Sequence, residues 1–319
     1  MAEVADKWAP EVGPDASIAK VALGALNGRI DAVLYYLPLA ANNAADNTEY
    51  VHQLRVWTRR LTAALRLYRD LISKRQYDWF AKQLRRIRRA ANDARDSDVL
   101  IDRLRNKKPN GTRAWLEIAR QERTAAQSEI ARVYKRLHAK QRFHRKAEKL
   151  LEDVAARGQR RSGRKRFAKW ARDELARAVN DFFESVPRQR ANHAALHKFR
   201  IQAKVLRYTI ELFAGAFPAA LKSRIYPVVE SIQDRLGVVN DHATASDHLQ
   251  RIQRQGKNGA AAADWKYLRA QEDAQVEKTV VAFRRWFTAA RRKQLRAGFD
   301  RVLGTNPKNQ TSKHKSSKQ

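Results

Sequence analysis

Apolar residues recur every three or four positions along almost the whole chain, the spacing of one face of an α-helix. Leu54, Trp57, Leu61, Ala64, Leu65, Tyr68 and Ile72 are one such run. The periodicity predicts helices near 17–40, 48–73, 77–105, 112–138 and 141–157, then near 165–186, 193–215, 219–254 and 262–297. Helix breakers mark the edges: Asn42-Asn43, Pro109-Asn110-Gly111, Gly158 to Gly163, Pro187, Gly215 with Pro218, and Gly256 with Gly259. No stretch alternates as a strand would. The expected fold is all-α, with about four long helices in each half packed as antiparallel bundles. Residues 1–15 carry Pro10, Gly13, Pro14 and several acids, and read as a flexible arm. Residues 304–319 are polar, with four lysines and no acid, and are expected to be disordered.

One pattern occurs twice. His52-x2-Arg55-x3-Arg59 returns as His197-x2-Arg200-x3-Lys204, an offset of 145 residues (197 − 52). At the same offset Leu54 pairs with Phe199, Val56 with Ile201, Leu61 with Leu206, Leu65 with Ile210, Leu67 with Leu212 and Tyr68 with Phe213. Asp96, in Ala94-Arg95-Asp96, pairs with Asp241, in Val239-Asn240-Asp241. One offset that fits both segments means that each half carries the same supersecondary unit.

On a helical wheel His52, Arg55, Arg59, Thr62 and Arg66 fall within an arc of about 80°. The apolar run from Leu54 to Ile72 lies nearly opposite. His197, Arg200, Lys204 and Arg207 form the same kind of row in the second copy, and Arg60 adjoins the first. The following helix adds Lys82, Arg85, Arg86 and Arg89, largely on one face. Like charges at i, i+4 cost a few tenths of a kcal/mol per pair, so a row kept in both halves points to a ligand. Arginine suits phosphate because its planar fork donates two hydrogen bonds at once and stays charged. A file of cations about 21 Å long, at 1.5 Å per residue, fits a linear polyanion better than one compact phosphate. His52 and His197 are either phosphate donors or neutral groups packed where helices cross. Asp96 and Asp241 either orient His or Arg beside the rows or serve as salt bridges and caps.

Composition strengthens the anionic partner. Lys and Arg total 66 against 33 Asp and Glu, a formal charge of +33. Such an excess repels itself unless a polyanion or counterions offset it. The candidates are nucleic acid, an acidic membrane or another phosphate polymer. The chain has no cysteine, which excludes disulfides and thiolate metal sites and fits a reducing cytosol. No secretory signal is expected at the N-terminus. Ile18 to Ala41 is the most apolar stretch, yet Asn27, Arg29 and Asp31 make it an amphipathic helix and no membrane span.

Enzyme readings find little support. No Gly-x4-Gly-Lys-Ser/Thr loop or nucleophile constellation exists, and Asn240-Asp241-His242 lacks the upstream histidines of a metal phosphohydrolase. His193-x3-His197 has metal-ligand spacing but lacks the glutamate of a zincin. No catalysis, metal or cofactor is therefore expected. Non-specific nucleic-acid binding is the serious alternative on charge alone, although no helix-turn-helix, zinc finger or stacking platform is identifiable. The seven tryptophans read mostly as core.

Four segments together resemble the CHAD family, the conserved histidine α-helical domain. They are Val51-His52-Gln53-Leu54-Arg55-Val56 with Arg59-Arg60-Leu61, Leu196-His197-Lys198-Phe199-Arg200-Ile201 with Lys204-Val205-Leu206-Arg207-Tyr208, Ala94-Arg95-Asp96-Ser97-Asp98, and Leu236-Gly237-Val238-Val239-Asn240-Asp241. The resemblance spans about residues 16–300. It implies a domain over 16–303 with halves at 16–157 and 164–303, built as two four-helix bundles with pseudo-two-fold symmetry. It further implies that basic residues line a groove or channel for inorganic polyphosphate, and that a bacterial member sits in the cytoplasm at polyphosphate granules. Thr62 stands where the family usually has Arg, and Glu211 opposes Arg66 across the repeat, so unequal halves are expected. The Glu-x-Glu-x-Lys signature of the triphosphate-tunnel domain that some members carry is absent.

Overall fold

The computed structural model describes residues 6–13, 15–105, 112–160, 166–187, 193–254 and 262–305. Among these the chain is all-α, with no β-strand. The helices are α1 (Ile18–Asn42), α2 (Glu49–Leu67), α3 (Lys74–Arg105), α4 (Thr112–His138), α5 (Arg142–Gly158), α6 (Phe167–Glu184), α7 (His193–Phe213), α8 (Tyr226–Arg254), α9 (Ala262–Trp286) and α10 (Ala289–Leu303). Contacts divide the chain into two units, one holding α1–α5 and the other α6–α8, α9 from Tyr267, and α10. The first unit has the five α-helices that the periodicity predicts, and the second has five where four were predicted. The predicted tail beyond residue 305 and the breakers at 109–111, 161–163, 256 and 259 lie outside the described residues.

In the first unit α2 packs between α1 and α3, and α5 closes against α1. The apolar face of α2 is the core face: Leu54, Trp57, Leu61, Ala64, Leu65, Tyr68 and Ile72 are all buried. Polar caps place the surrounding helices. Ser17 accepts a hydrogen bond from Lys20 N and starts α1. Gln127 of α4 donates to the carbonyls of Ala40 and Ala41, which end α1 without an intrahelical partner. Asp153 of α5 accepts from Ser73 N at 2.7 Å, just before α3, and from Arg157. At Gly158 the end of α5 approaches α1 so closely that a Cβ would sit 2.6 Å from that of Ala19.

The arm is not loose throughout. Arg29 is buried and donates to Ala25 O and to Lys7 O. Ala9 is buried and Pro10 packs over Gly24, so residues 7–10 lie along α1.

The second unit has an aromatic core. Phe182, Phe199, Phe283 and Phe287 form a chain of ring contacts, and Phe167 packs edge-on against Phe213. The helix expected over 262–297 is two helices. Thr288 adopts an extended backbone and its side chain accepts from Arg291 N, the geometry of an N-cap. Arg291 and Arg292 donate to the carbonyls of Trp286 and Phe287, satisfying the end of α9. The helix expected over 219–254 begins with a π-helical turn, Leu221–Ile225, before α8. The segment expected to be helical to 73 leaves the α form after Leu67, through a 3₁₀ turn at Arg69–Leu71.

Candidate anion-binding site

On α2, His52, Arg55 and Arg59 are half-buried and Arg66 is exposed, on the side away from the core face. Arg59 Nε is buried and has no hydrogen-bond partner among the described residues. Thr62 turns its hydroxyl back to Thr58 O at 2.7 Å. Arg60 departs from the row: it is buried, with its guanidinium 4.7 Å from the centre of the Trp57 ring. A position 100° from its neighbour leaves the cationic arc, and the aromatic face gives the charge a place among apolar groups.

Two ties show how α3 runs back along α2. At one end Arg69 stacks on Tyr77 of α3, 4.4 Å from its ring centre. At the other Arg55 lies 3.8 Å from Asp96, and Arg95 acts electrostatically on His52. Between the ties α3 exposes Lys82, Arg85, Arg86 and Arg89. The first unit therefore presents two antiparallel helices, each with its own file of cations. Asp96 forms an ion pair with Arg55, which fits both readings of that residue. Arg95 was missed as a site residue, because only the antiparallel return of α3 brings it to His52.

His52 sits at the head of this row. Burial lowers its pKa from the ordinary 6.5. Glu49 opposes that effect, and Arg95, Arg59 and Arg55 add to it. Glu49 is itself held by Gln53 at 2.7 Å.

The second unit differs. His197 is exposed, and Arg200, Lys204 and Arg207 are half-buried on α7. Arg207 belongs to an internal network. Its Nε donates to Glu211 at 3.2 Å and to the Tyr226 hydroxyl at 3.1 Å, and Tyr226 donates to Glu211 at 2.8 Å. Glu230 accepts from Tyr226 at 3.2 Å and lies 3.7 Å from Arg207. Burial works against the charge of Arg207, but Glu211, Tyr226 and Tyr208 together outweigh it and keep the guanidinium protonated. Burial raises the pKa of Tyr226, and Glu211 raises it further. Burial also raises that of Asp234 on α8. At the repeat offset Glu230 and Asp234 stand where Arg85 and Arg89 stand, and Glu211 where Arg66 stands. Sequence reading marked Glu211 but not Glu230 or Asp234.

Asp241 is exposed on α8. Ile201 and Val205, which flank the α7 row, are 45% and 40% exposed, so Ile201 does not share the core role of its apolar pattern. Trp57 is the buried tryptophan among those described. Trp286 is half-buried between Arg235 and Arg291, 4.5 and 4.4 Å from its ring centre. Among the described residues no group of three His, Asp or Glu side chains could hold a metal ion. None of the helices described is long and apolar enough to cross a membrane.

Comparison with known proteins places this geometry. The CHAD domain model matches residues 24–250. The chain is similar to the crystal structure of the CHAD domain from the plant Ricinus communis, with a TM-score of 0.70 and 21% identity over 94% of this chain and 97% of that one. It is also similar to PptA from Streptomyces chartreusis, with a TM-score of 0.56 and 18% identity over 86% of this chain and 100% of that one. No curated protein matches.

Proposed function

The chain belongs to the CHAD domain family, a family associated with polyphosphate binding, and we propose that it binds inorganic polyphosphate along its rows of cations without turning it over. The observation that carries the reading is the paired file on α2 and α3: His52, Arg55, Arg59 and Arg66 beside Lys82, Arg85, Arg86, Arg89 and Arg95. Successive phosphates of one polymer can meet successive cations along a helix. A polymer that bridges like charges removes their mutual repulsion, which a single orthophosphate cannot do. His197, Arg200 and Lys204 offer a row of their own in the second unit. Asp96 holds Arg55. In the cell this reading places the protein in the cytoplasm at polyphosphate granules.

Competition between long polyphosphate and DNA, at matched phosphate concentration and physiological salt, tests the reading. Polyphosphate should win clearly, and log affinity should fall with log salt by about 0.7 for each phosphate neutralised, as for flexible single strands. The charge of +33 attracts any polyanion, so equal competition by DNA would replace the reading with non-specific nucleic-acid binding. Polyphosphate incubated with pure protein should keep its chain length; shortening would overturn the non-catalytic part.

A further inference from the structure

We infer that a phosphate seated against Arg55, Arg59 and Arg95 is bound together with a proton on His52, so that the polymer is held more tightly as pH falls. This rests on the polyphosphate reading and adds a regulation of the same site.

The argument is a balance of charges around one half-buried ring. On its own helix His52 has Arg55 one turn on, Arg59 two turns on, and Glu49 one turn back. From α3 it faces Arg95. Asp96 next to it is committed to Arg55, and Asp98 to Arg123 of α4 at 2.6 Å. The end of α1 that leads into α2, Ala32–Asn42, offers no charged side chain, only Tyr35 and Tyr36 as titratable groups. Three guanidinium groups thus face a ring for which Glu49, shared with Gln53, is the carboxylate counterweight. Without ligand the arrangement disfavours imidazolium, which burial disfavours already. A phosphate among the three arginines reverses the sign of the local field. The ring then gains both an anion and a hydrogen-bond acceptor, and its pKa must rise. Linkage makes the effect mutual: if the anion favours the proton, the proton favours the anion by the same factor.

The same ring sets an opposite trend for the bare chain. Its pKa is below 6.5 in the folded state, so the unfolded chain binds more protons there. Stability without polymer therefore falls as pH drops through that value, and polymer should reverse the trend.

The test measures affinity for long polyphosphate between pH 7.5 and 5.5 at constant ionic strength, for the wild-type chain, His52→Gln, His52→Lys and His144→Gln. Internal phosphates of a long chain stay ionised throughout this range. Wild type should tighten on acidification by about tenfold for each unit by which the bound pKa exceeds the free one. His52→Gln should be weak and nearly flat, and His52→Lys flat and tight, while His144→Gln, on α5 and outside both rows, should keep the wild-type profile. Arg95→Ala should weaken binding with a smaller rise toward acid. Calorimetry of the wild type in two buffers of different ionisation enthalpy should show net proton uptake near pH 6.5, a readout that needs no variant to fold. Binding without proton uptake, or a His52→Gln profile as steep as the wild type, overturns this inference and leaves the polyphosphate reading standing. No binding at any pH overturns both.

Discussion

The α2–α3 pair of the first unit and the α7–α8 pair of the second descend from one pattern and now do different things. Where the first has Arg66, Arg85 and Arg89, the second has Glu211, Glu230 and Asp234. In the first, Arg66, Arg85 and Arg89 are exposed. In the second the carboxylates draw Arg207 inward, and Tyr226 ties it to both glutamates. A charge held open is available to a ligand, whereas a charge buried with its partners is committed to the fold. On the proposed reading the main polymer contact lies on the first unit, and His197, Arg200 and Lys204 form a separate, shorter row on the second.

The largest effect should come from erasing the open file. Arg55, Arg59, Arg85 and Arg89 changed together to Ala should weaken polyphosphate binding about a thousandfold, at roughly 1 kcal/mol per charge-assisted contact. The salt slope should become shallower by about 3, at 0.7 per phosphate. Arg200 and Lys204 changed to Ala should cost about tenfold or less. Equal losses in the two variants, measured by fluorescence titration across salt, would erase the distinction between the units.

Arg207→Ala should show the reverse signature. Its side chain is 13% exposed and that of Glu211 1%. Removing the arginine leaves a buried carboxylate without its cation, a cost of about 3 kcal/mol. Thermal unfolding should report that loss, while polyphosphate affinity of the folded variant changes less than twofold. A large affinity loss with an unchanged melting temperature would return Arg207 to the binding row.

A milder test concerns how each pair of helices is anchored. Asp153 clamps the start of α3 through Ser73 N and Arg157. Burial works to raise its pKa, but the hydrogen bonds from Ser73 and the contact with Arg157 prevail and hold it below 3.8. At the repeat offset Ser73 becomes Pro218, which has no N–H, and Asp153 becomes Gly298, which packs by Ile225 instead. The folded chain binds fewer protons at Asp153 than the unfolded chain. Its contribution is therefore complete above pH 3.8 and is lost as pH falls through the lower, folded value. Asp153→Asn should cost about 1 kcal/mol at pH 7, and the gap to wild type should narrow as pH falls below 3.8 and the carboxylate protonates. A gap that persists unchanged in acid would show that the carboxylate charge is not what holds α3.

Much of this architecture was legible because two signals agreed. The 3.6-residue period gave the helices, and the 145-residue offset marked the rows of cations and the core face behind α2. What escaped the sequence has physical reasons. The break between α9 and α10 falls at Phe287–Thr288, in a run without Gly or Pro; an N-cap threonine and two arginines on terminal carbonyls replace the usual breakers. The repeat itself pointed there, since the turn at Ala139–Gln141 between α4 and α5 maps by the offset to 284–286. Arg60 fell out of the site because an adjacent tryptophan offers a guanidinium a face to lie on. Arg95 entered it because α3 returns antiparallel to α2. Both depend on tertiary neighbours that a single-helix wheel does not include. Glu230 and Asp234 escape because a repeat shows what two halves share, and these acids stand where the first half has Arg85 and Arg89.

That reversal supplies the finest test of the comparison. Asp234 is exposed on α8, and its charge is disfavoured by burial and by Glu230, while Arg207 favours it. Asp234→Arg restores the residue type of Arg89 at the matching position without disturbing the Arg207–Glu211–Tyr226 contacts. The change adds two units of positive charge beside Lys204 and Arg207, so it costs a few tenths of a kcal/mol in like-charge repulsion. Polyphosphate should recover that cost on binding. Affinity should rise about threefold and the salt slope steepen by about 0.7, one additional phosphate neutralised. The same substitution made at the exposed Asp241, lower on α8, serves as a control for net charge alone. If both variants gain equally, only the sum of charge matters. If Asp234→Arg gains more, position along the row decides, and the acids of the second unit are what limit its share of the polymer.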